Sequence, residues 1–311
     1  MRTLACLTAA GMLALSATGA RAETIAYGEA FDTLYRFGLD SHVAVEVGPA
    51  GFVGGQLIGN ISGLSFSNDN ELYAVAGGLN ALTRIDPTTG GATIVGSLGL
   101  AGQGDPQRSD ALDLGMTFDC DDTLWLVSAY AGKLWKVNQA TGATTLVGAT
   151  GHTITGLVAR GNALYGAGGK GDNNLYRVSM QTGEARLIGS YGPAASGWIN
   201  SVSMSFDDDG TLWAVLNYVP PAPGSTTVPD WSDLATIDPT TGEMTVIGPI
   251  TGPEDLRQVG MKGFAIGPPR CVAGATPVAS APVGTPPWLA LLGVVLIGAA
   301  GAAIRRKSLP A

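Results

Sequence analysis

The sequence predicts an all-β fold, a five-bladed propeller whose first and last strands share one blade, with a hydrophobic helix appended at the C-terminal end. Three observations predict it. A phrase recurs: LYAV…LTRIDPTTGGATIVG near 72–96, LWLV…LWKVNQATGATTLVG near 124–148, LYGA…LYRVSMQTGEARLIG near 164–189, and LWAV…LATIDPTTGEMTVIG near 212–248. Self-similarity at roughly 40–50 residues marks an array of supersecondary units. Gly is abundant, at 46 of 311 residues, while Lys and Glu are sparse, which favours short strands and tight turns. Finally, an incomplete copy stands at each end of the array, LYRFGLDSHVAVEVG at 34–48 and Gly260–Ile266.

Each unit divides into four strands. In the unit at 112–148 these are Leu114–Phe118, Leu124–Ser128, Lys133–Asn138 and Thr144–Val147, with apolar and aromatic residues alternating at period two. Asp-Pro-Thr-Thr-Gly at 86–90 and 238–242 joins the third strand to the fourth. Asp caps a type I turn, Pro presets the next φ, and Gly takes the left-handed position. Thr-Gly at 141–142 and 182–183 fills the same place, so the most repeated phrase is read as turn chemistry.

Four-stranded repeats are propeller blades. Complete units span about 60–97, 112–148, 153–189 and 199–248. The copy at 24–48 has the last three strands and lacks an innermost one. The piece at 260–266 reads as an innermost strand with nothing after it. Together they make a fifth blade, and pairing both ends of the chain protects sheet edges that would otherwise invite aggregation. A six-bladed ring is the alternative if two units have been merged. Gly63, Gly115, Gly156, Ser203 and Gly263 align in the innermost strands, followed two residues later by Ser65, Thr117, Val158, Ser205 and Ala265. Small residues at one register suit a crowded axis.

The two ends read as targeting segments. Residues 1–22 resemble a secretory signal: Arg2, an apolar run from Leu4 to Leu15, and Ala20-Arg21-Ala22 as a small-x-small cleavage site. After the propeller domain (23–270) comes a Pro/Ala-rich linker (271–287), an uncharged stretch from Trp288 to Ile304, and a basic tail (305–311) with Arg305-Arg306-Lys307. The apolar run is at the short limit for a spanning helix, and the basic cluster would hold its end in the cytoplasm.

Five of the 17 Lys and Arg lie in these ends, leaving 12 against 25 acidic residues in the domain, a formal charge of −13. Such a surface repels nucleic acid and anionic lipid. Cys120 and Cys271 remain after Cys6 leaves with the signal. An exported compartment permits their pairing, but two cysteines at this separation make no pattern. With His42 and His152 the only histidines, a His-based zinc site is not supported.

The order of Pro-rich hinge, Pro-Pro-Trp, short apolar helix and Arg-Arg-Lys resembles the C-terminal sorting tails of the PEP-CTERM and IPTL-CTERM type. That resemblance implies an exported protein of a Gram-negative bacterium, processed by an exosortase-like membrane enzyme and released or surface-held. Val283-Gly284-Thr285-Pro286-Pro287 stands where the family shows Pro-Glu-Pro or Ile-Pro-Thr-Leu, and a plain inner-membrane anchor facing the periplasm is the other reading. The short Asp/Asn/Gly hairpin followed by Leu-Trp/Tyr-Ala-Val resembles exported bacterial propellers of the YncE-, NHL- and SMP-30-like kind, which implies the fold and no particular reaction.

Connections between strands one and two, and three and four, fall on one face of such a ring. Every long loop falls on the other: 98–111, 190–200, 219–233 and 249–260. Recognition concentrates on long loops of a rigid scaffold. The candidate ligand-binding residues there are Asp105, Arg108, Asp110, Asp113, Asn173, Trp198, Asn200, Tyr218, Trp231 and Arg257. No catalytic set is assigned. The acidic turns NDNE (68–71), DCDD (119–122) and DDDG (207–210) raise Ca²⁺, but none has the spaced Asp pattern of a calcium loop and all lie where hairpins need turn formers, so no cofactor is assigned. His152 precedes an innermost strand as a candidate base without a partner nucleophile. Gly166–Gly171 lacks the ending and the helix of a phosphate loop. Two functions follow: a non-enzymatic binding or structural module for a glycan, protein or matrix component, and, as the alternative, a metal-assisted lactonase or carbohydrate-active hydrolase or lyase at the channel mouth. The latter would draw on Asp113, Asn200 and His152. A glycosidase needs two facing carboxylates, and Glu254 is the only glutamate in the long loops.

Overall fold

The structure is a computed structural model that describes residues 23–267 except 109, 111, 196, 220–231, 254 and 255, and only the backbone of Arg108, Arg257 and Gln258. The signal (1–22), linker (271–287), hydrophobic segment (288–304) and basic tail (305–311) therefore lie outside the described residues, as does Trp231. Among the described residues no helix is long and apolar enough to cross a membrane.

The ring has five four-stranded sheets, which settles the blade count against six. Blade 1 holds β1 (Ile25–Ala30), β2 (Thr33–Gly38) and β3 (Val45–Pro49), and takes its innermost strand from the other end of the domain, β22 (Gly263–Ala265). A small hairpin, β4 (Phe52–Val53) and β5 (Gln56–Leu57), lies in the link to blade 2. Blade 2 is β6 (Ile61–Phe66), β7 (Leu72–Ala76), β8 (Ala81–Ile85) and β9 (Ala92–Ser97). Blade 3 is β10 (Leu114–Phe118), β11 (Leu124–Ser128), β12 (Lys133–Val137) and β13 (Thr144–Ala149). Blade 4 is β14 (Ile154–Arg160), β15 (Ala163–Gly168), β16 (Asn174–Val178) and β17 (Ala185–Ser190). Blade 5 is β18 (Ser201–Phe206), β19 (Leu212–Asn217), β20 (Asp233–Ile237) and β21 (Met244–Pro249), followed by a single helical turn, α1 (Leu256–Val259), on the way to β22.

The two chain ends zip as the partial repeats require. β22 pairs antiparallel with β1, with Tyr27 opposite Ala265, Gly28 opposite Phe264 and Glu29 opposite Gly263. Five apolar clusters fill the five gaps between blades. Leu34, Ile58, Leu64 and Phe66 lie between blades 1 and 2, and Phe37, Val215, Leu234 and Phe264 between blades 5 and 1. Fully burying side chains of this kind stabilises by about 1.5–3 kcal/mol each.

The repeated glycines have a second role beyond turn chemistry. Gly90, Gly142, Gly183 and Gly242 adopt φ of +77°, +76°, +79° and +81°, as their turns require. Each of these turns also abuts the outer strand of the preceding blade at the glycine closing the repeat: Gly48, Gly96, Gly148 and Gly189 face the carbonyls of Thr89, Thr141, Thr182 and Thr241 so closely that a Cβ would overlap them. Beside each contact runs a hydrogen bond from the start of the next blade's outer strand. Ala92 N–H donates to Ala50 O at 2.9 Å, Ala185 N–H to Thr150 O at 3.0 Å, and Met244 N–H to Tyr191 O at 3.0 Å. At the gap between blades 2 and 3 the Thr144 hydroxyl donates to Leu98 O at 2.9 Å. Ala44 N–H donates to Thr251 O at 2.7 Å and carries the pattern across the closing gap.

The acidic turns are structural fittings. Asp119 accepts the N–H of Asp121 at 2.9 Å and of Thr123 at 2.8 Å through Oδ1, and Trp125 Nε1–H at 2.7 Å through Oδ2. Asp207 does the same for Thr211 and Trp213, both at 2.8 Å. Among the described residues no group of three His, Cys, Asp or Glu is placed to hold a metal ion. Cys120 is held in a disulfide; Cys271 lies outside the described residues.

Candidate functional site

The axis is packed shut at its waist. A Cβ on Gly115 would stand 2.7 Å from the Cα of Gly156, and one on Gly63 would stand 2.7 Å from Cγ of Met116. The remaining axial cavity, lined by these glycines and by Ser203 and Phe264, is about 10 Å³, room for at most one water. The hydroxyls two residues on stitch the inner strands together: Ser65 accepts Phe118 N–H at 3.2 Å, Thr117 accepts Ala159 N–H at 3.3 Å, and Ser205 accepts Ile266 N–H at 3.1 Å. A ligand on the axis therefore meets a floor rather than a pore.

Above that floor, on the long-loop face, the residues immediately before the innermost strands are Asn60, Asp113, Thr153, Asn200 and Lys262. Asp113 and Lys262, which belong to blades 3 and 1, meet across the mouth, Lys262 Nζ donating to Asp113 Oδ1 at 3.0 Å. Lys170, from the β15–β16 connection, reaches Asp113 Oδ2 at 2.6 Å and donates to Asn200 Oδ1 at 3.2 Å. The three charged side chains are 20–25% exposed. Burial would push the Asp113 carboxyl up, but the two ammonium groups prevail and hold it down at about 2. The cluster is one carboxylate between two ammonium groups, a local excess of one positive charge.

The structure brings two of the ten sequence candidates, Asp113 and Asn200, into this cluster. The others serve elsewhere. Asp105 Oδ1 accepts the N–H of Gln107 at 2.9 Å at the start of a short 3-10 turn. Asp110 cinches its own loop, accepting the N–H groups of Gly102 and Gly104, each at 2.6 Å. Asn173 donates to the carbonyls of Ala195 and Gly197 at 3.3 Å, and its Oδ1 is buried without a partner. Trp198 lies over Gly171 with its indole N–H buried and unpartnered. Tyr218 donates to Asp233 Oδ2 at 2.7 Å, and burial pushes its phenol up. The Arg108 and Arg257 side chains and Trp231 lie outside the described residues. His152 is a loop histidine. Its ring stands 4.3 Å from that of Tyr176 on the third strand of blade 4, and Nδ1 is 3.9 Å from Asp172 Oδ2.

Lys170 and Lys262 were not among the sequence candidates. Lys262 had a signal, since it precedes its inner strand just as Asp113 and Asn200 precede theirs. Lys170 lay in the Gly-rich stretch that was weighed only as a phosphate loop. The same face carries the β4–β5 hairpin, which exposes Phe52 at 72% beside exposed Val53 and Leu57.

No protein-family model matches the chain, and no curated protein does. Among solved structures it is similar to virginiamycin B lyase from Staphylococcus aureus, at 15% identity and a TM-score of 0.40, covering 70% of this chain and 63% of that one, so less than two thirds of the lyase is spanned. It is also similar to a chain of a nidogen/laminin complex, at 13% identity and a TM-score of 0.47, covering 78% and 97%. A protein of unknown function from Bacteroides thetaiotaomicron matches at 16% identity and a TM-score of 0.42, covering 69% and 52%. Likeness at this level assigns no activity, and the architecture rests on the strand pairing described above.

Proposed function

We propose that this chain is an exported propeller, anchored to the membrane or displayed at the surface through its C-terminal segment, that acts as a non-enzymatic binding module for a glycan or protein. The observation that carries this reading is the cluster of Asp113, Lys170, Lys262 and Asn200 at the mouth of a closed axis. Four blades, 3, 4, 5 and 1, each contribute one residue there, and the cluster mixes hydrogen-bond donors and acceptors, as ligand sites do. Several features favour binding over catalysis. Asp113 is committed to two lysines and held at about 2, far from the range in which a general acid or base works at neutral pH. Among the described residues no second carboxylate joins the cluster, so a facing pair for glycoside cleavage is not formed. The domain charge of −13 argues against nucleic acid. The reading assigns no cofactor.

The test is a glycan and exoprotein array probed with the full-length protein and with Asn200→Ala and Lys170→Ala variants. The reading expects retained ligands whose binding falls at least tenfold in the variants. Turnover of an arrayed glycan or lactone, lost in an Asp113→Asn variant, would replace it with an enzymatic one.

A further inference from the structure

We infer that the mouth is an acidic-sugar subsite, in which the ammonium groups of Lys170 and Lys262 take up the carboxylate of a uronate residue. This inference rests on the binding reading above and adds the chemical class of the ligand.

The argument begins with charge. Lys170 Nζ and Lys262 Nζ share one carboxylate, that of Asp113, at 2.6 and 3.0 Å. Each ammonium carries three donors. Lys170 directs donors to Asp113 and Asn200, and Lys262 directs one to Asp113. The cluster thus keeps one positive charge and donors to spare, while the side chains are only about a quarter exposed. A half-desolvated charge without a counterion is costly, and one further carboxylate would match it with charge-assisted hydrogen bonds. The domain as a whole has 25 acidic against 12 basic residues. Against that negative balance, a cluster with a positive excess is a place for an anion to sit.

The choice of sugar over acidic peptide follows from the surroundings. The excess is a single charge. Its nearest ring neighbours before the inner strands are the uncharged Asn60, Thr153 and Asn200, and the same face carries Asp105, Asp110, Asp172 and Asp233. Acidic side chains carry no donors for those groups. A uronate brings one carboxylate per ring, flanked by hydroxyl groups.

The test uses full-length protein in detergent and tetragalacturonate, with its fully methyl-esterified form as the uncharged control and an octaglutamate peptide as the competing class, measured by titration calorimetry in low salt. Tetragalacturonate should bind at least tenfold more tightly than its ester. Lys170→Met and Lys262→Met should each weaken it about tenfold or more, the scale of one charge-assisted hydrogen bond. Asp113→Asn, which leaves the two ammonium groups without their shared carboxylate, should tighten it, an effect a purely structural ion triad would not produce. Thermal midpoints report whether each variant remains folded. Equal binding of acid and ester, lost in the mouth variants, overturns the acidic-sugar inference and leaves the binding reading standing. Binding of octaglutamate in preference to the sugar, weaker binding by Asp113→Asn, or no binding of tetragalacturonate also overturns the inference. Only an array without any ligand at the mouth removes the binding reading as well.

Discussion

Four of the gaps between blades are built one way and the closing gap another. Between blades 1 and 2, 2 and 3, 3 and 4, and 4 and 5, a Thr-Gly turn is pressed against a glycine of the preceding outer strand. Between blades 5 and 1 the equivalent glycine, Gly248, has nothing within 4 Å. There the turn of blade 1 carries no Thr-Gly. His42 stands in the left-handed region and accepts Thr251 N–H at 2.9 Å. The short strand β22 is instead pinned from blade 5 by side chains. Asn217 Nδ2 donates to Met261 O at 2.9 Å, Ser232 Oγ accepts Met261 N–H at 2.8 Å, Ser203 Oγ donates to Lys262 O at 2.7 Å, and Ser205 Oγ accepts Ile266 N–H at 3.1 Å. Backbone-on-backbone packing holds blades along the continuous chain. Where the ring closes on a strand of three residues that contact is missing, and bonds from Asn217, Ser232 and Ser203 add to the kind of hydroxyl bond that Ser65 and Thr117 make at other gaps.

This contrast can be broken at either kind of gap. The largest effect should come from the first. A Gly189→Ala change drives a Cβ into Thr241 O, both of them backbone-fixed, and should cost about 2–3 kcal/mol of stability, the upper range for overpacking, measured by denaturant unfolding. At the closing gap, Asn217→Ala leaves the buried Met261 carbonyl without its donor. The expected cost is about 1–3 kcal/mol, with faster hydrogen exchange confined to β22 and β1. Uniform exchange across all blades would contradict a local role.

Two titratable groups sharpen the same comparison. Asp113 is held below its ordinary value of 3.8, at about 2. Its contribution is fully present above pH 3.8 and lost as pH falls toward 2. It is worth about 2 kcal/mol at neutral pH, and Asp113→Asn should abolish that part of the acid limb. Glu29 lies in the seam, on β1 opposite Gly263, fully buried with both carboxyl oxygens unpartnered. Burial, with a smaller push from Asp32, raises its carboxyl well above 4.5. The sign is therefore opposite: the folded state keeps the proton longer, so the seam is strongest below pH 4.5 and weakens as pH rises. Glu29→Gln should stabilise the protein more at pH 8 than at pH 4.5. The smallest change expected is Ser205→Ala, about 1 kcal/mol for a single hydrogen bond.

How much of this was legible depends on how local the signal was. The Asp-Pro-Thr-Thr-Gly turns and the Leu-Trp/Tyr-Ala-Val strands repeat because each blade meets the same local demand, so blade number and the split fifth blade could be read directly. The glycine before each inter-blade link was visible too, but its reason was not. Gly96 meets Thr141, and only the fold places them together. The closing bonds of Asn217, Ser203 and Ser232 carry no repeat, whereas that of Ser205 repeats those of Ser65 and Thr117. At the mouth, residue type alone does not give a residue's place. Asp110 and Asp105 accept backbone N–H groups of their own loop. Lys262 comes to Asp113 across 149 positions of sequence, a separation no spacing argument reaches.

The central claim is the shared blade, and an engineered cross-link tests it most directly. Tyr27 and Ala265 sit opposite each other in the β1–β22 ladder, where Cβ atoms stand about 4.5–5.5 Å apart. A Tyr27→Cys, Ala265→Cys protein, oxidised while folded and digested without reduction, should yield one peptide pair joined through positions 27 and 265 and an unfolding midpoint above that of its reduced form. Free thiols at both positions in the folded protein, or a bond formed only between molecules, would contradict the closed five-bladed ring.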